Sequence, residues 1–150
     1  MQSEGGKPRA LIADDHPIIR AALRDDLVEG GFEVCAETAT GGEALAAAMR
    51  ERPDICLLDM HMPGDGVRFV REIRARLPAV RLVLLTAAAD TQTALEAARA
   101  GAHGYAAKGE GRERLLEMLR TVVAGGVSYP WQLLLDALRS PSGGEPAPSG

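Results

Sequence analysis

Short apolar runs alternate along the chain with longer segments in which apolar residues recur every three or four positions. The runs are four or five residues long and lie at residues 10–13, 32–36, 55–58, 82–85 and 104–107. Runs of this length predict β-strands, and the unbroken apolar character of residues 55–58 is typical of a strand buried on both faces.

Each run is followed by a segment with the period of an α-helix. The first segment has Pro17 in its opening turn and ends at Gly30–Gly31, which are usual start and stop signals of a helix. The other predicted helices lie at residues 42–52, with Leu45 and Met49 on one face, and at 67–77, 91–100 and 110–124.

The pattern changes after residue 126. A short amphipathic segment at 130–139 predicts a sixth helix with the apolar residues Trp131, Leu134, Leu135 and Leu138. Residues 140–150 are rich in Pro, Gly and Ser, which is typical of a linker or tail. We therefore expect a disordered N-terminus at 1–7, a folded domain at 8–126, a helical connector at 127–139 and a flexible tail at 140–150.

The alternation of five strands and five helices predicts an α/β fold in which a parallel sheet carries helices on both faces. Crossovers between parallel strands are right-handed, so few topologies remain. A doubly wound (βα)5 sheet of the flavodoxin-like order 2-1-3-4-5 suits a chain of 150 residues, whereas an eight-stranded barrel would need far more chain.

Charge and composition exclude several classes of function. The formal net charge of −4 provides no basic surface for nucleic acid, so we expect no direct DNA binding by these residues. No apolar run approaches the ~20 residues of a membrane span, and the polar N-terminus lacks a signal peptide, which favours a cytoplasmic protein.

The cysteines and histidines give no sign of a disulfide or a zinc site. Cys35 and Cys56 are expected to be reduced thiols, with a disulfide between them as the alternative. His16, His61 and His103 lack zinc-type spacing, so we expect ordinary surface or loop residues with respect to metal binding.

Polar residues follow four of the predicted strands. Asp14–Asp15 follow the first strand, Asp59 the third, Thr86 the fourth and Lys108 the fifth. In a doubly wound sheet these carboxyl ends share one edge, and ligands bind where the strand order reverses, here between the first and third strands. Three carboxylates at one place repel one another unless protons or a cation compensate, and Mg²⁺ is the natural cation because it takes oxygen ligands.

An aspartate that is held at a metal ion beside a lysine and a hydroxyl group is suited to phosphoryl transfer. Asp59 would be the nucleophile toward phosphorus. Mg²⁺ and Lys108 would each take one phosphoryl oxygen, and the Thr86 hydroxyl with backbone N–H groups would take the third.

At these positions the chain resembles the receiver domain of bacterial two-component response regulators. The matching residues are the Asp14–Asp15 pair, Asp59 in Leu-Leu-Asp-Met-His-Met-Pro, Thr86 with Ala87, and Lys108 in Gly-Tyr-Ala-Ala-Lys-Gly. The resemblance covers about residues 8–126. It implies the CheY-like form of the fold and a phosphoacceptor domain rather than a turnover enzyme.

The resemblance also implies a role for each residue of the acidic group. Asp59 would be the phosphoacceptor. Mg²⁺ would be bound by the side chains of Asp15 and Asp59 and by the backbone carbonyl of His61, and Asp14 would act on it directly or through water. Lys108 would pair with the phosphoryl group or, before phosphorylation, with Asp59.

A conformational switch is the third implication of the resemblance. Thr86, which is followed by the small Ala87, would move onto the phosphoryl group, and Tyr105 would turn inward into the space vacated. The surface formed by the fourth helix, fifth strand and fifth helix would then change shape. The alternatives are helix capping for Asp14–Asp15 and for Thr86, a half-buried edge-strand aromatic for Tyr105, and a solvated loop residue for Lys108.

One loop departs from the family pattern. The family often has Met-Pro, two residues and then Asp-Gly, whereas residues 62–66 read Met-Pro-Gly-Asp-Gly and are one residue shorter. In the family, the positions of His61 and Ala88 tune the attack of water on the acyl phosphate. The sequence therefore does not give the lifetime of the phosphorylated form.

Three segments resemble NarL/FixJ-type regulators, in which a C-terminal LuxR-type helix-turn-helix domain binds promoter DNA: residues 13–20, 39–45 and 123–130. No such domain occurs in these 150 residues, so we expect DNA to be reached only through a domain that this chain lacks. The expected partners are a sensor histidine kinase, with Ile18, Ile19 and Ala22 as candidate docking residues, and a second copy of the chain on phosphorylation.

Four other functions are alternatives. A natural stand-alone receiver and a phosphorylation-independent interaction module both keep the fold. A phosphatase of the haloacid-dehalogenase type would need a second aspartate at the position of His61. A flavodoxin-like FMN binder would need a hydroxyl-rich phosphate loop where Asp14–Asp15 stand.

Overall fold

The computed structural model of the protein describes residues 6–139. Of the predicted N-terminal segment, residues 1–5 lie outside the described residues, and so does the whole predicted tail at 140–150. Gly6 and Lys7 are exposed and precede the first strand without regular structure. The predicted division of the chain at residue 126 stays a prediction.

Strands and helices alternate through the described residues, and each element lies within two residues of its predicted bounds. The elements are β1 (Arg9–Ala13), α1 (Pro17–Glu29), β2 (Glu33–Thr38), α2 (Gly41–Glu51), β3 (Ile55–Asp59), α3 (Gly66–Arg76), β4 (Arg81–Thr86), α4 (Thr91–Ala100), β5 (Gly104–Ala107), α5 (Arg112–Val123) and α6 (Trp131–Arg139). A 3-10 turn at Lys108–Glu110 shortens the predicted fifth helix, since Gly111 at φ 99° interrupts the helical path.

The strands form one parallel sheet in the order β2-β1-β3-β4-β5, which confirms the predicted topology. β3 lies at the centre, and all five of its residues are buried, as its unbroken apolar run predicts. The arrangement is the doubly wound, CheY-like receiver fold.

Two apolar layers cover the sheet, one on each face: α2, α3 and α4 pack on the first face, and α1 and α5 pack on the second. Leu45 and Met49, which were predicted to share one face of α2, do not form its contact face. The helix buries Ala44, Ala47 and Ala48, whereas Leu45 is only partly buried and Met49 is exposed. Small side chains therefore form the contact face of this helix.

The chain continues along the edge of the sheet after α5. Ser128 forms a parallel bridge with Gly104 of β5, and α6 then packs on α4. Among the described side chains of α6, Leu133 packs against the core. The exposed apolar residues of this helix are Trp131, Leu135 and Leu138. The predicted amphipathic helix therefore points most of its apolar face outward.

Cys35 is partly buried and Cys56 is fully buried, and both are free thiols, as expected. Burial raises the pKa of each thiol and so keeps it neutral. Within residues 6–139, no helix combines the length and the apolar character that crossing a bilayer requires.

Candidate functional site

The register of the sheet gathers acidic residues at one edge. Ala13 of β1 lies opposite Leu58 of β3, so the residues that follow, Asp14 and Asp59, leave adjacent strands at the point where the strand order reverses. Both side chains are buried, with exposures of 1% and 3%. Asp15 follows with a partly exposed side chain. The three predicted carboxylates therefore lie together.

Lys108 reaches this acidic group from the end of β5. Its Nζ lies 2.8 Å from Asp14 Oδ2 and 3.2 Å from Asp59 Oδ2, and its side chain is 12% exposed. Burial alone would lower the pKa of Lys108, but the hydrogen bonds with Asp14 and Asp59 outweigh it and raise that pKa above its usual value. The lysine stays charged, and the alternative of a solvated loop residue is wrong.

Asp14 is kept ionised by two neighbours. Its Oδ1 accepts a hydrogen bond from the His16 backbone N–H at 2.9 Å and lies 3.1 Å from Nδ1 of the same histidine. Burial favours the neutral acid, but the hydrogen bonds from Lys108 and His16 prevail and lower the pKa of Asp14 below its usual value. His16, and neither aspartate, occupies the N-cap position of α1, so the helix-capping alternative fails.

Three buried carboxylate oxygens are open to a cation: Asp14 Oδ2, Asp15 Oδ1 and Asp59 Oδ2. Among the described residues, their neighbours are limited to the Lys108 ammonium group and the His16 ring. One donor atom from each of the three aspartates and from His16 lies within 4.8 Å of the others. Three buried carboxylate oxygens that share one ammonium group and one imidazole ring are under-compensated, which is costly. A hard divalent cation that takes oxygen ligands fits them.

Thr86 ends β4 at the same edge and is buried. Its Oγ1 lies 3.4 Å from the Ala88 N–H, which donates to it, and 3.3 Å from the Ala88 carbonyl oxygen. The cap of α4 is Asp90, whose Oδ1 accepts a hydrogen bond from the Thr93 N–H at 2.8 Å, so the capping alternative for Thr86 is wrong. Ala87 between them is small and exposed.

Tyr105 lies inside the protein with 1% exposure, so it is not the half-buried aromatic of the alternative, and it already has the inward position that the switch was expected to give it. Its hydroxyl accepts a hydrogen bond from the Asp90 N–H at 3.2 Å and bonds with Thr93 Oγ1. Its ring stacks on that of Tyr129, with a centroid distance of 6.3 Å and an interplanar angle of 21°. The spacing of apolar residues along helices and strands could not predict the contact with Tyr129, because Tyr129 lies between α5 and α6 and far from β5 in the sequence.

Comparison with known proteins decides the family. The family model described as the response regulator receiver domain matches residues 10–120. The chain belongs to this receiver domain family. It is therefore a receiver domain and not a turnover enzyme.

The relatives of this receiver domain are regulators of transcription. It is 30% identical over 125 residues to the DNA-binding transcriptional activator EvgA of Escherichia coli K12, and 32% identical over 119 residues to DevR/DosR of Mycobacterium tuberculosis H37Rv. These matches cover 83% and 78% of this chain, but only 61% and 55% of the relatives. A solved LuxR-family response regulator from Aurantimonas sp. SI85-9A1 matches with a TM-score of 0.82 and 30% identity, covering 91% of this chain and 99% of that one.

The shortened loop of the receiver domain closes directly against the strand end that carries Asp59. A Cβ on Gly66 would lie 2.5 Å from the Asp59 carbonyl oxygen and 2.9 Å from Met60 Cα, so only glycine fits there. Gly64 and Asp65 adopt φ values of 99° and 65°, in the left-handed region. The loop thereby completes its turn with one residue fewer than the family pattern has.

The histidines of the receiver domain differ from one another in position. His16 Nδ1 lies 3.1 Å from both Asp14 Oδ1 and Asp15 Oδ1, although the sequence analysis expected no place for it near a metal ion. Its position directly after the acidic pair was the available signal. His61 is exposed, and its backbone N–H donates to Asp59 Oδ1 at 3.0 Å. His103 lies in the loop between α4 and β5, as expected, but its side chain is buried.

Proposed function

We propose that this receiver domain accepts a phosphoryl group on Asp59 from the phosphohistidine of a sensor histidine kinase. The observation that carries the proposal is the state of Asp59 Oδ2, a buried carboxylate oxygen that has no backbone donor and lies 3.2 Å from Lys108 Nζ. A nucleophile needs an open lone pair. The other oxygen, Oδ1, is already engaged by the His61 N–H.

In the transfer, Asp59 Oδ2 forms an O–P bond while the P–N bond of phosphohistidine breaks. The leaving nitrogen keeps the electron pair, and the imidazole departs neutral because its other nitrogen carries a proton. Charge is spread over three phosphoryl oxygens in the transition state. Lys108 is placed to pair with one of them, and the Thr86 hydroxyl pairs with another when it leaves Ala88.

The acidic residues suit Mg²⁺ as the accompanying cation. Asp14, Asp15 and Asp59 would hold it through side-chain oxygens, and the resemblance adds the backbone carbonyl of His61. When bound, Mg²⁺ would neutralise charge on a phosphoryl oxygen and reduce the repulsion among the carboxylates. Lys108 already compensates part of that charge, because it lies within 3.2 Å of two carboxylates.

Control of transcription is the output that the relatives favour. EvgA and DevR/DosR are DNA-binding transcriptional activators by name, and this chain spans 55 to 61% of their length. We infer that phosphorylation of Asp59 acts on DNA through a helix-turn-helix domain outside these 150 residues. A second copy of the chain is the expected partner of the phosphorylated form.

Intact mass after incubation with acetyl phosphate and Mg²⁺ tests the assignment of the acceptor. Wild type is expected to gain one phosphoryl group, and Asp59→Asn is expected to gain none. Asp25→Asn is the matched control, because it makes the same chemical change at an exposed carboxylate of α1. This control is expected to gain the phosphoryl group as wild type does.

Two results would contradict the proposal. A gain of mass in Asp59→Asn would mean that another residue is the acceptor. No gain in wild type, in a sample that calorimetry shows to bind Mg²⁺, would exclude acceptance from acetyl phosphate and would favour a phosphorylation-independent interaction module.

A further inference from the structure

The chain continues past α5 as a C-terminal strap, defined as residues 127–139, which begins with hydrogen bonds to the edge of the sheet. Tyr105 N–H donates to the Ser128 carbonyl oxygen at 3.0 Å, and Ser128 N–H donates to the His103 carbonyl oxygen at 2.9 Å. The Tyr129 hydroxyl donates to the Ala102 carbonyl oxygen at 2.6 Å. The first residues of the strap are therefore joined to the start of β5.

The helical part of the strap has fewer attachments. Leu133 packs against the core, and its carbonyl oxygen accepts a hydrogen bond from Thr91 Oγ1 at 3.4 Å. The opposite face of α6 is exposed. A helix of nine residues is marginal in water by itself, so α6 depends on docking for its helical structure.

One side chain connects the strap with the loop beside the acidic residues. The ring of Tyr105 stacks on Tyr129, while its hydroxyl bonds with the Asp90 N–H and with Thr93. Asp90 is the last residue of the loop that begins after Thr86. Tyr105 therefore contacts the loop at residues 87–90 with its hydroxyl and the strap with the face of its ring.

We propose that phosphorylation of Asp59 releases the strap through Tyr105 and Tyr129, an inference that rests on the proposed function. Movement of Thr86 onto the phosphoryl group draws the loop that ends at Asp90 toward the acidic residues. The Tyr105 hydroxyl then loses its donor at Asp90. The ring tilts away from Tyr129, and the base of the strap loses its stacking partner.

Coupling of this kind is reciprocal. If phosphorylation weakens the docking of the strap, then a change that weakens docking favours the phosphorylated form by the same factor. Release also uncovers the apolar surface under Leu133 and joins it to the exposed residues of α6. The strap thereby reports the state of Asp59 at the far end of the domain.

Trp131 makes the strap directly observable, because it is the chain's single tryptophan and lies on α6. Wild type treated with acetyl phosphate and Mg²⁺ is followed in parallel by intact mass, Trp131 fluorescence anisotropy, and hydrogen exchange of the Ser128 amide. We expect the anisotropy to fall and the exchange to accelerate roughly tenfold as the strap opens. Asp59→Asn is expected to show neither change.

Two substitutions of Tyr129 separate the stack from the hydrogen bond. Tyr129→Ala removes the ring and is expected to show the low anisotropy before acetyl phosphate is added. Tyr129→Phe keeps the ring and removes only the bond to the Ala102 carbonyl oxygen, so it is expected to respond as wild type does. Leu133→Ala, which shortens the core contact of α6, makes the same test if Tyr129→Ala fails to fold.

The outcomes distinguish the two proposals. Wild type that gains the phosphoryl mass with unchanged exchange of the Ser128 amide overturns the release of the strap and leaves the proposed function standing; the exchange decides, because formation of a dimer would raise the anisotropy by itself. Wild type that gains no phosphoryl group overturns both. A folded Tyr129→Ala variant that responds as wild type does would show that the stack is not the link, and would also overturn the strap proposal.

Discussion

Lys108 Nζ lies 2.8 Å from Asp14 Oδ2, which is closer than the 3.2 Å that separates it from Asp59 Oδ2. One ammonium group therefore compensates charge on two buried carboxylates. The same position puts a positive charge beside the oxygens that a divalent cation would use. Lys108 thus favours an incoming phosphoryl group and disfavours a metal ion.

We expect Lys108→Ala to bind Mg²⁺ more tightly and to accept a phosphoryl group more slowly. Loss of the ammonium charge beside the site removes a repulsion of about 1 kcal/mol, which is roughly a fivefold lower Kd for Mg²⁺. Loss of the electrostatic partner should slow phosphorylation roughly 100-fold. Calorimetry with Mg²⁺ and the rate of mass gain with acetyl phosphate measure the two effects.

Lys7→Ala serves as the control for Lys108→Ala, since Lys7 is exposed and precedes β1. It should match wild type in both measurements. An unchanged or weaker affinity of Lys108→Ala for Mg²⁺ would contradict the competition between lysine and metal.

The sequence was sufficient to predict the fold and the shared edge because both depend on local pattern and chain order. Runs of apolar residues identified strands, and parallel strands necessarily present their carboxyl ends together. This reasoning brought Asp14, Asp59 and Lys108 to one place without any knowledge of the distances between them. The closer approach of Lys108 to Asp14 depends on side-chain geometry, which the order of strands and helices does not predict.

Contacts between distant elements were not predictable in the same way. The pairing of Tyr105 with Tyr129 joins two residues that no period relates, and the burial of His103 depends on its neighbours in β4 and α3. The apolar pattern of α2 did not show its buried face, because Leu45 and Met49 are more hydrophobic than alanine. Packing against the sheet selected the small side chains instead.

Gly66 provides a test of how closely the shortened loop approaches Asp59. Its missing Cβ would meet backbone atoms of Asp59 and Met60 at 2.5 and 2.9 Å, which cannot move as a flexible side chain can. We expect Gly66→Ala to lower the free energy of unfolding by about 2–3 kcal/mol and to slow phosphorylation of Asp59. Chemical denaturation and the rate of mass gain check the two effects.

Gly42→Ala is the matched control for Gly66→Ala, because Gly42 also lies in the first turn of a helix and a Cβ there would contact nothing within 4 Å. Higher helix propensity should make this variant more stable by up to about 1 kcal/mol. Equal stability of Gly66→Ala and wild type would mean that the loop yields, and that its shortness does not constrain Asp59.

Arg81 of β4 connects the sheet to the end of α5 through two hydrogen bonds. Its Nε donates to the Val122 carbonyl oxygen at 3.1 Å, and its Nη2 donates to the Gly126 carbonyl oxygen at 2.8 Å. Arg81→Ala should cost about 1–3 kcal/mol in thermal or chemical unfolding, since both carbonyls lose a charged donor. Arg76→Ala, at an exposed ion pair with Glu72, should change stability by less than about 1 kcal/mol. Similar losses in the two variants would argue against this role of Arg81.

His103 should make the protein less stable in mild acid. Leu82 N–H donates to its Nδ1 at 3.0 Å, and Nε2 lies 2.8 Å from Arg74 Nη1, so an added proton finds no acceptor. Burial, reinforced by the charges of Arg81 and Arg74, lowers the pKa of His103 from 6.5 to about 4. The folded pKa lies below the unfolded one, so the contribution to stability is complete above pH 6.5 and is lost as the pH falls toward 4.

Chemical denaturation of wild type and His103→Gln at pH 7 and pH 4 measures this loss. The difference between their unfolding free energies should shift against wild type by at most about 3 kcal/mol. A pH-independent difference would mean that the imidazole takes up a proton as readily in the folded protein as in the unfolded chain.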